Sequence, residues 1–204
     1  MAHGGSQRNG RRIVTIDWFE TQRAAHRAFG ERLASVTDWS APTPDTEWDV
    51  RALVSHVIEE QQWVPLLLDG RSVAEARARI DPPGDDLIAA WHRYSAAATA
   101  AWQDRDPNEP VRLSSDTMLV VDYLREQVAD VIIHTWDLAR AIGDGERLDD
   151  ELVEAAWSVF EPQKDALQAS GLYNFPVPVG DDEPLQTRLL ALTGRDARQP
   201  FPAP

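Results

Sequence analysis

Asp130-Val131-Ile132-Ile133-His134-Thr135-Trp136-Asp137-Leu138-Ala139-Arg140-Ala141-Ile142-Gly143 is the stretch that decides the fold of this chain. At about 100° per residue, His134 falls about 40° from Asp130 and Asp137 about 20° to the other side, so all three share one stripe of a helix. Gln127 and Tyr123 extend that stripe toward the helix start. Ala129, Ile133, Val131 and Leu138 flank it, and Ile132 with Trp136 occupies much of the back. A helix that is apolar nearly all round is a buried one, and its single polar stripe is buried with it. A buried carboxylate is costly unless a positive group answers it. The nearby candidates are the histidine and Arg140, and Arg140 points about 80° off the stripe. The spacing Asp-x-x-x-His lets a carboxylate oxygen and an imidazole nitrogen converge on one cation. It equally allows a self-satisfied Asp–His hydrogen bond in the core.

Outward from this helix, expected over about Val121 to Ile142 and stopped by Gly143, the apolar spacing is helical almost throughout. A first helix is expected over about Thr15 to Val36, with Phe19, His26, Phe29, Leu33 and Val36 recurring on one face. Pro42 and Pro44 mark a loop, and Thr46 with Asp49 reads as a capping box opening a second helix from about Glu47 to Leu68. A third is expected from about Asp86 to Gln103, after the break at Asp81-Pro82-Pro83-Gly84. Val111 to Leu113 and Met118 to Val120 suit a small hairpin around Ser114 to Thr117. Beyond Gly143, a helix over about Asp149 to Ser170 is ended or kinked by Pro162 and closed by Gly171, and a short one covers Pro184 to Thr193. The fold class is therefore all-α: a four-helix bundle with a short C-terminal helical extension and one small hairpin. The expected organisation is a disordered leader over 1–12, a metal-binding bundle over 13–143, and an extension over 144–204 packed on the bundle.

Composition narrows the function. Acidic residues outnumber basic ones 34 to 20, which leaves no basic footprint after residue 12 for a nucleic acid and disfavours anionic lipid. No apolar run approaches the roughly 18 residues of a membrane span. There is no cysteine, so disulfides, thiolate metal sites and cysteine nucleophiles are excluded together. Residues 1–12 are Gly-rich and basic without an apolar core, unlike a secretory signal, and a cytoplasmic location is the expectation. His3, in that leader, is set aside as a ligand.

His56 sits on the second helix with Leu53 and Val57 as apolar neighbours. A lone histidine on an apolar face is ordinarily a core residue. Two of them on two long helices, with a carboxylate one turn from one, make the candidate metal ligands His56, Asp130 and His134. Three such ligands leave open coordination positions, as in a catalytic rather than a structural site. Zinc suits the set, and nickel, iron or manganese fit N/O donors as well. His26 is weighed as a further ligand against core packing, and Glu60 as a fourth ligand or general base against an ordinary salt-bridged Glu. Asp137 is weighed as the group that orients an imidazole, and Trp63 and Trp136 as cavity walls. His92 is expected to face outward.

Trp48-Asp49-Val50-Arg51-Ala52-Leu53-Val54-Ser55-His56 and the Asp130–Gly143 stretch together resemble the DinB-like metalloenzyme superfamily. Within it the match is to the actinobacterial group related to the N-terminal domain of mycothiol-dependent maleylpyruvate isomerase, over about Thr15 to Gly194. The resemblance implies an up-down four-helix bundle that binds a divalent metal through His56, Asp130 and His134. It also implies mycothiol, or a thiol like it, as co-substrate. The isomerase has Glu where this chain has Asp130. It also carries a further C-terminal domain that these 204 residues do not contain, so maleylpyruvate itself is not the expected substrate.

The function expected on this footing is a metal-dependent thiol S-transferase or isomerase, with an external low-molecular-weight thiol attacking a small electrophile. The alternatives are a non-catalytic metal-binding or dimerising bundle, and a hydrolase that uses metal-activated water. The partners expected are the small thiol and the electrophile, with neither nucleic acid nor membrane. A homodimer is expected from the resemblance and from the excess of tryptophan.

Overall fold

A computed structural model describes residues 15–45, 47–103, 105–113, 116–170 and 175–201. The leader, Thr46, Ser114, Ser115 and Gly171 lie outside the described residues. Helix α1 (Trp18–Leu33) starts where the Asp17 carboxylate accepts from the Phe19 and Glu20 amides. Helix α2 (Val50–Leu68) is capped by Asp49, which accepts from the Ala52 amide at 2.8 Å, so Asp49 is the cap itself and not the third residue of a box. A five-residue helix α3 (Val73–Arg77), not anticipated from periodicity, carries a true capping box. Ser72 accepts from the Glu75 amide, and the Glu75 carboxylate accepts from the Ser72 amide. Helix α4 (Leu87–Trp102) is capped by Asp86.

Strands β1 (Pro110–Leu113) and β2 (Asp116–Leu119) pair antiparallel, with Pro110 opposite Leu119 and Val111 opposite Met118. Asp116 and Thr117, expected in the turn, belong to the second strand. Helix α5 (Val120–Ala141) follows without a break. Then come α6 (Asp150–Phe160), a 3₁₀ turn at Glu161–Gln163 containing Pro162, α7 (Lys164–Ser170) and α8 (Leu185–Leu192). Pro162 thus interrupts the long helix where the missing N–H predicts a break. Gly143 and Gly194, just beyond α5 and α8, adopt φ of 68° and 82°, the left-handed conformation that ends a helix at little cost to glycine.

The bundle is built from α1, α2, α4 and α5. α1 packs against α4 and α5, and α2 packs against the same two, so α1 and α2 face each other across the bundle. The all-α architecture and the hairpin read from the sequence are borne out. Every residue from Val131 to Ala141 is buried, as an all-round apolar helix requires. α6 covers the outer side of α5, and α8 packs on α6. Gln186 of α8 secures this layer, accepting from the Leu148 amide at 3.0 Å and donating to the Glu146 carbonyl at 2.8 Å.

Candidate metal site

Helices α2 and α5 are neighbours, and each brings its polar positions to the shared seam. His56 comes from the second turn of α2, and Asp130 and His134 come one turn apart from the middle of α5. Asp130 Oδ2 stands 3.9 Å from His56 Nε2, and its Oδ1 stands 3.5 Å from His134 Nε2. One donor atom from each of the three lies within 4.8 Å of the others. Among the described residues this is the one group of three such side chains placed to hold a metal. Ligands bound at about 2.1 Å to a common ion lie roughly 3 to 3.5 Å apart, so small side-chain adjustments close the set on a cation. The donor set of two imidazoles and one carboxylate fits a divalent ion with positions left for a ligand.

Exposure grades across the group. The His134 side chain is 5% exposed, that of Asp130 23% and that of His56 32%, so the seam opens to solvent on the His56 side. Trp48, just ahead of the α2 cap, lies against both rings, 4.6 Å from that of His56 and 5.7 Å from that of His134. Burial depresses the His56 pKa, partly offset by the Asp130 charge, which keeps the ring neutral and its lone pair available. Burial would depress His134 as well, but the adjacent Asp130 and Asp137 carboxylates outweigh it and hold the ring's pKa up, at about 9.

Behind His134 lies a second layer. His134 Nδ1 meets Asp137 Oδ2 at 3.1 Å, and Asp137 has no exposure at all. The cation answering that buried carboxylate is Arg195, from the turn after α8, with Nε 3.1 Å from Oδ1 and Nη2 2.8 Å from Oδ2. Burial raises the Asp137 pKa, but the Arg195 charge, with the hydrogen bonds from His134 and Arg195, brings it below the usual range. Arg140, the cation nearest in sequence, instead binds Glu146 at 2.8 Å and the carbonyls of Ala197 and Gln199, with its guanidinium over Trp136.

The remaining candidates separate cleanly. Glu60, one turn from His56, accepts from Gln127 Nε2 at 3.0 Å. Burial, aided by the charges of Asp130 and Glu59, raises its pKa. His26 lies apart from the metal group, within 3.1 Å of Gln22 and edge-on to Trp91. His92 is exposed. Trp63 and Trp136 are buried beneath Arg77 and Arg140 respectively, and the indole at the imidazoles is Trp48. Sequence reasoning missed Arg195, for which the only signal was the unanswered charge of Asp137. It also left Trp48 unassigned among the tryptophans.

Fold and site together define a DinB-like helical bundle whose His/Asp/His group is compatible with a divalent metal. The chain belongs to the mycothiol maleylpyruvate isomerase N-terminal domain family, which it matches over residues 19–139. Two uncharacterized proteins of Mycobacterium tuberculosis, from strains CDC 1551 and H37Rv, are similar to it. Each is 31% identical over 162 residues, covering 72% of this chain and 82% of its own length. No solved structure matches the chain significantly. No helix among the described residues is long and apolar enough to cross a membrane.

Proposed function

We propose that this protein is a metal-dependent enzyme that uses an external low-molecular-weight thiol, mycothiol or one like it, for S-transfer to a small electrophile or for its isomerisation. The observation carrying this reading is the convergence of His56, Asp130 and His134 at a seam that opens toward solvent. His56 and His134 would hold the ion through Nε2 and Asp130 through its carboxylate, and zinc suits that set. When bound, a divalent ion supplies positive charge that favours the thiolate form of an incoming thiol at neutral pH. The thiol must come from outside because the chain has no cysteine. Asp130 offsets part of the cationic charge. Trp48 keeps water from one side of both rings. Glu60, its carboxyl raised by burial, can hold a proton on an oxygen beside the seam. The family assignment supports the thiol, and a cytoplasmic homodimer completes the proposal.

Elemental analysis of protein never exposed to chelator tests the metal. About one divalent ion per chain is expected, lost in His56→Ala and His134→Ala with helical content retained, because the apolar faces hold the bundle together. Metal content unchanged in both variants overturns the assignment. Turnover of an electrophile only when thiol is added supports thiol chemistry. Turnover without thiol means hydrolysis, and none in either case means a binding module.

A further inference from the structure

The ligand His134 is held from behind by a residue 61 positions further along the chain, outside the matched stretch 19–139. Asp137 Oδ2 lies 3.1 Å from His134 Nδ1, and both Asp137 oxygens are gripped by the Arg195 fork. Arg195 is itself fixed. Its Nη1 donates to the Thr193 carbonyl at 2.7 Å and its amide donates to the Leu190 carbonyl at 2.8 Å, both at the end of α8. The Arg195 and Asp137 side chains are 5% and 0% exposed, so water does not compete for these bonds. An imidazole that binds a metal gives up one of its two N–H protons, and the hydrogen bond made by the other decides which nitrogen is left for the ion.

We infer that Arg195 is a positioning residue of the metal site: it clamps the Asp137 carboxylate so that His134 keeps its proton on Nδ1 and presents Nε2 to Asp130 and His56. The inference rests on the metal reading above. The two-pronged Arg–carboxylate geometry fixes the carboxylate plane as well as its charge, which a lysine ammonium does not do. Without the fork, Asp137 is free to rotate, and the ring of His134 loses the restraint that aims Nε2 at the seam. Groups in this position typically change metal affinity ten- to a hundredfold.

The test is competition with a chelator for zinc, run on full-length wild type, Arg195→Gln, Arg195→Lys and Arg140→Gln. Arg140 also anchors the tail, through Glu146 and two tail carbonyls, so its variant reports loss of the tail without loss of the fork. Arg195→Gln is expected to bind zinc at least about tenfold more weakly, Arg195→Lys to show an intermediate loss, and Arg140→Gln to keep wild-type affinity while melting lower. Nitrogen NMR of zinc-loaded wild type should show the His134 proton on Nδ1. That measurement, with Arg195→Lys, decides the matter if Arg195→Gln does not fold. Equal affinity in the Arg195 variants or an equal loss in Arg140→Gln overturns the inference while leaving the metal site standing, and a proton on Nε2 overturns it and removes His134 as an Nε2 ligand as well. A wild type that takes up no zinc sinks the metal reading, and this inference with it.

Discussion

Trp48 lays its indole beside the His56 ring at 4.6 Å, with the planes inclined by 38°, and from there also reaches the ring of His134. It stands immediately before the cap of α2, so the same turn that starts the helix walls the seam. Trp48→Ala removes an apolar wall from a ring already about a third exposed. Metal affinity is expected to fall several-fold, with a stability loss of about 1 to 2 kcal/mol for a half-buried aromatic. Chelator competition and urea unfolding on the same samples check both.

Asp130→Asn keeps the shape of the side chain and removes its charge. If the carboxylate shares an ion with the two imidazoles, the variant should bind metal distinctly more weakly, because an uncharged amide balances none of the cation's charge. A chelator titration that superimposes on wild type would return Asp130 to a core hydrogen-bonding role.

His26 gives the clearest acid dependence. Burial brings its pKa down to about 4, only partly offset by a hydrogen bond that the ring donates to Gln61. Between about pH 6.5 and 4 the unfolded chain takes a proton at this residue that the folded chain refuses, so stability falls as pH is lowered through that window. The contribution reaches at most roughly 3 kcal/mol. His26→Gln, able to keep a hydrogen bond to its neighbours, is expected to show a shallower decline over the same window in unfolding experiments. An unchanged slope refutes the assignment.

Gly30 lies inside α1 beneath Trp91. A Cβ built there would meet the indole Nε1 at 3.0 Å, and Trp91 is itself 2% exposed and packed on Phe29 at 4.6 Å. Alanine gains about 1 kcal/mol over glycine in a helix interior. Because the contact falls on a ring that is itself buried and packed on Phe29, overpacking of about 1 to 3 kcal/mol should outweigh that gain. Gly30→Ala is therefore expected to unfold at lower denaturant than wild type, and a more stable variant would show that the indole can move.

Much of this architecture was legible because one signal was strong. The run from Val131 to Ala141 is apolar nearly all round, apart from the stripe bearing His134 and Asp137, and burial of all of it follows from that pattern. The Asp130 and His134 pairing came from helical spacing, and His56 from its apolar neighbours on α2. Helix α3 was not legible, since five residues held by a Ser72–Glu75 box have no periodicity to read. Asp49 was placed two residues inside its helix because Thr46 offered an equally good cap chemistry upstream. Arg195 was beyond reach for another reason. Periodicity reports neighbours on one element, and the ion pair joining Asp137 to a turn 58 residues later leaves no trace in local spacing.

The turn bearing Arg195 has an evolutionary consequence. A recombination event that carried α1 through α5 into another chain would transmit His56, Asp130 and His134 but leave Asp137 without its counter-charge. The recipient would inherit the donors and have to evolve anew whatever aims them. A lineage that exchanged its C-terminal layer would therefore have to supply a new partner for the buried Asp137 carboxylate.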